Sequence, residues 1–289
     1  MDAPVLYHLP PSFYSQVARL ALAEGGVSYT AEVAAAGPPI FETYEPWYMR
    51  LNSGGTVPTL VDGDNVLDDS MDIVRYVNDT YCDGALMPPE NSEIARWVAR
   101  LEGLSFRNLS YGGSMAKMGF RVNGWRLRNL RKRLARHPDL ATQYLAKIAD
   151  IEGFRHQALD AARLQRLRSE VVAILDAMEA ALSDRPWLAG AEYTLADLVW
   201  TVGVARFLML DLDPFRGRPS LYAWYERVKA RPSFLAADVW ESMQLQRMLP
   251  VVARKVLPRL APVLVLVGVL MGLLLLLVRV SRSTTTEAE

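Results

Sequence analysis

The sequence predicts an α+β body in two halves, followed by one apolar helix at the C-terminus. Three observations carry this reading. Strand and helix signals alternate over about the first 80 residues. From Asn91 onward the strand signal disappears and only helical periodicity remains. Near the end, Ala261 to Val278 holds no charged residue and no hydrogen-bonding side chain.

The elements follow in order. Residues 3–7 (Ala-Pro-Val-Leu-Tyr) read as a short strand that Pro10-Pro11 breaks. Ser15 to Glu24 places Val17, Leu20, Ala21 and Leu22 at helical spacing, and Gly25-Gly26 stops that helix. Tyr29 to Ala34 reads as a second strand. Val57–Val61 and Asn65–Leu67 read as strands joined by Asp62-Gly63-Asp64, a hairpin turn signal. Ser70 is placed to cap a helix carrying Ile73, Val74, Tyr76 and Val77. The order β-α-β-(α)-β-β-α is that of a thioredoxin-like domain.

The second half is all-α. Ile94, Val98, Leu101 and Leu104 share one helical face. Leu167, Val171, Ile174, Leu175, Met178 and Leu182 form one stripe over Leu164–Leu182. Thr194 and Asp197, three apart, read as a capping box that starts another helix, and Leu221–Ala230 is one more. Between these lies a basic insertion, about 114–163. It holds Lys117, Arg121, Arg126, Arg128, Arg131, Lys132, Arg133, Arg136 and Lys147, with Trp125, Leu127 and Leu130 interleaved. A solvated helical face explains such a run, and so does a surface for a protein or for anionic lipid headgroups along 117–136. No aromatic stacking motif accompanies the charge and acids balance bases, 32 to 32, so no nucleic-acid partner is expected.

Met243, Leu245, Met248 and Leu249, then Val251, Val252, Val256 and Leu257, alternate with Arg247, Arg254, Lys255 and Arg259. Pro250 and Pro258 interrupt this stretch, which reads as a segment lying along a membrane. The apolar run follows. At 1.5 Å per residue it spans roughly 27 Å, close to the hydrocarbon thickness of a bilayer. A helix suits that setting because it satisfies its own backbone where lipid offers no partner. Gly268-Val-Leu-Met-Gly272 is a small-xxx-small motif suited to packing two anchors, one route to a homodimer. Arg279 and Arg282 in the tail favour the mitochondrial outer membrane, or the peroxisome, over the endoplasmic reticulum. The N-terminus lacks the basic and apolar regions of a secretory signal, and Cys82 is the one cysteine. The expected topology therefore leaves the body facing the cytosol. The chain divides into a thioredoxin-like domain (1–84), an all-helical domain (85–242), a juxtamembrane segment (243–260), a transmembrane anchor (261–279) and a short tail (280–289).

Three positions in the first half fit a site for an extended thiol peptide. Ser12 lies between the first strand and the first helix, where its hydroxyl and the helix N-terminus favour a thiolate. A cis proline at Pro58 would expose the backbone of Val57 for pairing with the peptide. Asp69-Ser70 opens a helix whose hydroxyl and free N–H groups suit a carboxylate. Each also has a plain reading: Ser12 and Ser15 both fit an N-cap, Pro58 serves the fold alone, and Ser70 is only a cap. No metal is expected.

Tyr7-His8, Ser12-Phe-Tyr-Ser-Gln16, Arg19-Leu-Ala-Leu-Ala-Glu24, Val57-Pro58-Thr-Leu60, Asp69-Ser70 and Tyr193-Thr-Leu-Ala-Asp197 resemble a glutathione transferase. Glu45-Pro-Trp-Tyr-Met-Arg-Leu-Asn-Ser53, Leu86-Met-Pro88, Pro138-Asp-Leu140, Pro186-Trp-Leu188 and Tyr225-Glu-Arg-Val228 resemble the ganglioside-induced differentiation-associated proteins. That family also has an inserted stretch in its helical domain and a C-terminal anchor. The resemblance implies a protein of the mitochondrial outer membrane that influences fission and network shape, with weak or no transferase activity. It implies Ser12 as the thiol-activating residue and Val57, Pro58, Asp69 and Ser70 as glutathione contacts. The alternative is a membrane-bound glutathione transferase or peroxidase acting on hydrophobic electrophiles.

Overall fold

The computed structural model describes residues 3–258 apart from 39, 89–90, 158, 245 and 251–252, and apart from the side chain of Ser114. The expected anchor at 261–279 and the tail at 280–289 lie outside the described residues. Among the described residues no helix is long and apolar enough to cross a membrane. The described residues up to Met243 form one compact unit and those from Gln244 onward belong to another. In the latter, residues 246–250 and 253–258 are helical.

The first half is a thioredoxin-like sheet of β1 (Val5–His8), β2 (Thr30–Val33), β3 (Thr59–Asp62) and β4 (Asn65–Leu67), in the order β2-β1-β3-β4. β1 pairs parallel with β2, and antiparallel with β3 through Tyr7↔Thr59 and Leu6↔Leu60. β3 pairs antiparallel with β4 through Leu60↔Leu67. Side chains on a strand alternate in direction. Leu6 and Leu60 therefore join the main core with α1 (Phe13–Glu24) and α3 (Ser70–Tyr81). Tyr7 points the other way and meets Trp47 and Tyr48 of α2 (Pro46–Leu51), with ring centroids 5.6 and 5.8 Å apart. Gly63, at φ +57°, makes the β3–β4 turn that the Asp-Gly signal anticipates.

The second half is helical: α4 (Ser92–Gly103), α5 (Phe106–Tyr111), α6 (Ala116–Arg136), α7 (Ala141–Gln157), α8 (Ala161–Leu182), α9 (Leu195–Met209), α10 (Pro219–Lys229) and α11 (Pro232–Ala236). Asp197 organises this half. Its carboxylate accepts from Thr194 N and Thr194 Oγ1 at 3.0 and 3.2 Å, closing the anticipated capping box. It also accepts from Leu188 N and Trp224 Nε1, both at 2.9 Å. One buried carboxylate thus ties the start of α9 to α10 and to the loop before α9.

The basic insertion forms the α6–α7 hairpin, which has its own small core. Leu127, Leu130, Leu140, Tyr144, Ile148 and Ile151 pack on Tyr44 and Met49 of the first half. Arg133 forms a two-pronged ion pair with Glu45, both bonds 2.7 Å, and Arg126 Nε donates to Ala36 O at 2.6 Å. Arg131 pairs with Glu152, and Lys147 with Asp150. Part of the basic run is therefore internal mortar between the halves, while Arg121 and Arg128 are exposed.

α1 is the helix on which the two halves close. From Phe13 to Leu22 every residue but Tyr14 is buried, including Gln16 and Arg19. The Arg19 guanidinium donates to Ala237 O (2.7 Å), Asp238 O (2.9 Å) and Pro10 O (3.2 Å). Gln16 Oε1 accepts from Trp240 N at 2.6 Å, and Glu24 accepts from Arg231 and Ser233. Phe13 stacks on Phe106, and Phe106 on Phe207.

Arg19 also sets the state of His8. Its Nη1 donates to His8 Nδ1 at 3.1 Å, so the imidazole is neutral, with its proton on Nε2. Burial first, then the Arg19 charge, lower the His8 pKa from 6.5 to about 4. In the unfolded chain His8 takes up a proton near 6.5, whereas the folded chain resists until about 4. Stability present above the unfolded value is therefore lost as pH falls through that window, by about 3 kcal/mol for this depression of the His8 pKa to about 4. We expect His8→Gln to lose less stability than the parent protein between about pH 7 and about pH 4.5, by urea unfolding. Parallel pH profiles for the two proteins would exclude this account.

Candidate functional site

Strand direction brings the three sequence-predicted positions together. The C-terminal end of β1 lies beside the N-terminal end of β3, since Tyr7 pairs with Thr59. β4 runs antiparallel to β3, so its C-terminal end lies at that same edge. The loop after β1 carries Ser12, the residues before β3 are Val57-Pro58, and the residues after β4 lead to Asp69-Ser70. All three therefore share one edge of the sheet.

Ser12 is the N-cap of α1 and is half-buried. Its Oγ accepts from Ser15 N at 3.4 Å, a long bond that leaves the hydroxyl capacity for another partner. Ser15, the other candidate cap, is fully buried, and its Oγ accepts from Leu9 N at 3.2 Å. It serves the loop, and Ser12 holds the capping position.

The Val57-Pro58 bond is cis. A buried network fixes the residues around it. Tyr48 OH donates to Thr56 O (2.6 Å) and bonds Thr59 Oγ1 (2.9 Å), and Asn52 Nδ2 donates to Thr59 Oγ1 at 2.8 Å. Burial raises the Tyr48 phenol, which keeps it a donor. Gly55 makes the preceding turn at φ +54°, where a Cβ would sit 3.0 Å from the Met49 sulfur. Among the described residues no hydrogen bond uses the Val57 main chain, so its N–H and C=O are available to an extended ligand.

The third position corrects an expectation. Asp69, not Ser70, caps α3: its Oδ1 accepts from Met71 N at 2.7 Å and Asp72 N at 3.3 Å. A carboxylate accepts two amides at once and opposes the positive end of the helix dipole, which a serine hydroxyl does less well. Ser70 is the first helical residue and is buried. Its N–H belongs to the first turn, whose donors have no intrahelical acceptor.

Arg206 is the residue that motif reading missed. It lies near the end of α9, is 7% exposed, and donates to Pro11 O, one residue before Ser12. Its Nη1 meets Ser110 Oγ at 3.5 Å, and its Nε has no partner among the described residues. Among the described residues no carboxylate lies in salt-bridge range of it. Burial draws its pKa down to about 10, so it stays a cation at neutral pH. Partial burial raises the Tyr14 phenol, Arg107 and Arg206 draw it down and Asp69 pushes it up, so these groups share one neighbourhood. The available signal was a basic side chain in an otherwise apolar helix, LADLVWTVGVARFLM, where only Asp197 is also charged. Burying a charge is costly unless something at the site uses it.

Cys82 supplies no rival nucleophile. It ends α3, and burial first, then Glu24 and Asp83, raise its thiol pKa. Among the described residues no cluster of His, Cys, Asp and Glu could hold a metal.

Comparison with known proteins identifies the fold. Residues 11–80 match the glutathione S-transferase N-terminal domain, and residues 143–232 match the glutathione S-transferase C-terminal domain. The chain is 34% identical to tetrachloro-p-hydroquinone reductive dehalogenase of Sphingobium chlorophenolicum, over 81% of this chain and 95% of that protein. It is 28% identical to ganglioside-induced differentiation-associated protein 1-like 1 of Homo sapiens, over 81% of this chain and 73% of that protein. Among solved structures, apo glutathione S-transferase III superposes with TM-score 0.57 at 25% identity, covering 82% of this chain and 95% of that one.

The energetics of Arg206 can be tested without a ligand. Replacing a buried, uncompensated cation by an apolar group of similar length removes a desolvation cost. Arg206→Met should therefore unfold in urea within about 1 kcal/mol of the parent, or at higher denaturant. A loss above about 2 kcal/mol would mean that the Pro11 tether outweighs the buried charge.

Proposed function

The chain belongs to the glutathione S-transferase family, and we propose that it binds glutathione and joins the glutathione sulfur to a hydrophobic electrophile. The observation that carries this reading is the shared sheet edge: a loosely engaged Ser12 hydroxyl, an unpaired Val57 backbone beside Pro58, and the open first turn at Asp69-Ser70. In this reading Val57 N–H and C=O pair with the cysteinyl backbone of the tripeptide. Pro58 holds that segment in place. The Ser70 N–H and hydroxyl receive the γ-glutamyl carboxylate, and Asp69, exposed at the cap, receives its ammonium. Ser12 Oγ–H donates to the sulfur and favours its ionised form. Arg206, a buried cation tethered one residue before Ser12, adds positive potential at that place and holds the loop.

The electrophile would meet an aromatic wall. Tyr14, 44% exposed, packs edge-on against Phe13 with centroids 5.1 Å apart, and the Phe13–Phe106–Phe207 stack lies behind it. Planar, weakly polar substrates suit such a surface. In the displacement itself the thiol proton has gone to water, the thiolate lone pair forms the new C–S bond, and the leaving group departs with the old bonding pair.

A second reading has its own support. The human relative at 28% identity and the apolar run 261–278 favour a membrane-anchored factor that acts on mitochondrial shape, with little or no transfer chemistry. In that reading the protein sits in the mitochondrial outer membrane through residues 261–279, its body on the cytosolic side and its anchors able to pair as a homodimer. The two readings share the anchor and differ in whether the sheet edge is in use.

Calorimetric titration of the full chain in neutral detergent separates them. Saturable glutathione binding at up to millimolar concentration is expected, and its absence rules out the transferase reading. Ser12→Ala should lower kcat/KM toward a chlorinated aromatic by about 10²-fold while leaving glutathione affinity nearly unchanged. Removing residues 261–289 should release the protein from membranes, as fractionation would read out. A truncated chain that still pellets with membranes would discard the anchor.

A further inference from the structure

The α6–α7 hairpin carries a second, separate cationic site. Phe120, Arg121, Gly124, Trp125 and Arg128 of α6 and Arg155 of α7 line a shallow pocket of about 410 Å³. Arg121 and Arg128 are seven residues apart and Trp125 lies between them, so all three fall on one helical face. Arg155 closes the pocket from the neighbouring helix. Its Nε donates to Phe120 O at 3.3 Å, and its guanidinium lies 3.5 Å from the centre of the Phe120 ring. Gly124 leaves room for it, since a Cβ there would touch Arg155 Nη2 at 3.4 Å.

Among the described residues the arginines of this pocket have no counter-ion. Residues 114–157 contain three carboxylates, Asp139, Asp150 and Glu152. Each is taken by another cation: Asp139 by Arg50, Asp150 by Arg107 and Lys147, and Glu152 by Arg131. The hairpin thus neutralises the charges it uses for packing and leaves Arg121, Arg128 and Arg155 without an ion pair among the described residues. The same outer face exposes large apolar groups, Trp125 at 45% and Met118, one heptad before it, at 55%.

We propose that this pocket binds the phosphate of an anionic lipid headgroup, with α6 lying against the membrane surface. Guanidinium groups match phosphate oxygens with paired N–H donors. An exposed tryptophan between arginines suits the headgroup level, where one end of the ring is apolar and the other wet. Arginine stems can lie along apolar surface while their heads reach phosphate. A soluble phosphate would use the same donors but has no use for Trp125 and Met118, and an acidic peptide has no need of a pocket. The site is independent of the glutathione reading and of the C-terminal run.

The test uses the full chain in neutral maltoside micelles, so that the C-terminal segment is shielded alike in every arm. The signal is the tryptophan fluorescence of the parent minus that of Trp125→Phe. Three probes are titrated: dioctanoyl phosphatidic acid (phosphate and tails), glycerol 3-phosphate (phosphate alone) and dioctanoylglycerol (tails alone). Saturation with phosphatidic acid alone is expected. Arg121→Gln/Arg128→Gln, both exposed positions, should raise its half-saturation concentration at least about tenfold with an unchanged circular dichroism spectrum. The proposal is overturned by no saturation or by an unchanged double variant. Equal saturation with glycerol 3-phosphate overturns the lipid source, and equal saturation with dioctanoylglycerol overturns the phosphate.

Discussion

Everything in this body hangs on helix α1 being enclosed along nearly its whole length, with Tyr14 alone exposed. A helix in that position needs apolar contacts on every side, and any polar group it carries must find a partner inside the protein. Phe13, Val17, Leu20 and Leu22 answer the first demand. Gln16 and Arg19 answer the second only because the chain returns after α11 and presents the carbonyls of Ala237 and Asp238 and the N–H of Trp240. The two halves are therefore not beads on a string. The first helix of one is completed by the last residues of the other, and the loop carrying Ser12 is set by that closure.

This explains why the candidate site is rigid where it matters and open where a ligand would enter. Tyr48, Asn52, Thr56 and Thr59 hold one wall through buried hydrogen bonds, while the main chain of Val57 is left unused. Arg206 holds the Ser12 loop from the helical half, at the cost of a buried cation with no carboxylate beside it among the described residues. A protein selected for stability alone has little reason to keep such a group, because an apolar residue would pack there without that penalty. The same logic separates Ser12 from Ser15. One hydroxyl is committed to the fold, and the other is only loosely engaged.

The basic insertion obeys a different division of labour. Arg126 and Arg133 reach back to Ala36 and Glu45 and fasten the hairpin to the first half, whereas Arg121, Arg128 and Arg155 gather around an aromatic pocket whose described lining holds no acid. Counting charges along the chain gives both groups the same weight. Only their partners distinguish a charge that builds the protein from one that faces outward.

Much of the architecture was legible before any coordinates. The strand alternation, the helical stripe at Leu167–Leu182 and the Thr194–Asp197 capping box are signals written within a few residues of each other. Physical effects of that range do not depend on the rest of the fold. The positions Ser12, Val57-Pro58 and Asp69-Ser70 were legible for the same reason, as local punctuation between a strand and a helix. Which residue caps α3 was missed because Asp69 and Ser70 are both good caps, and the choice depends on backbone geometry that neighbouring identities do not specify.

The tertiary structure alone decided the rest. Arg19 meets Ala237, Arg206 meets Pro11, and Arg133 meets Glu45 across 218, 195 and 88 residues of sequence. A charged side chain looks the same in sequence whether water or a distant carbonyl satisfies it. The difference appears when folding removes the water and the remaining partner is whatever the packing has brought within about 3 Å. Local identity chose the elements; long-range burial chose which of their polar groups would be structural and which would be left for function.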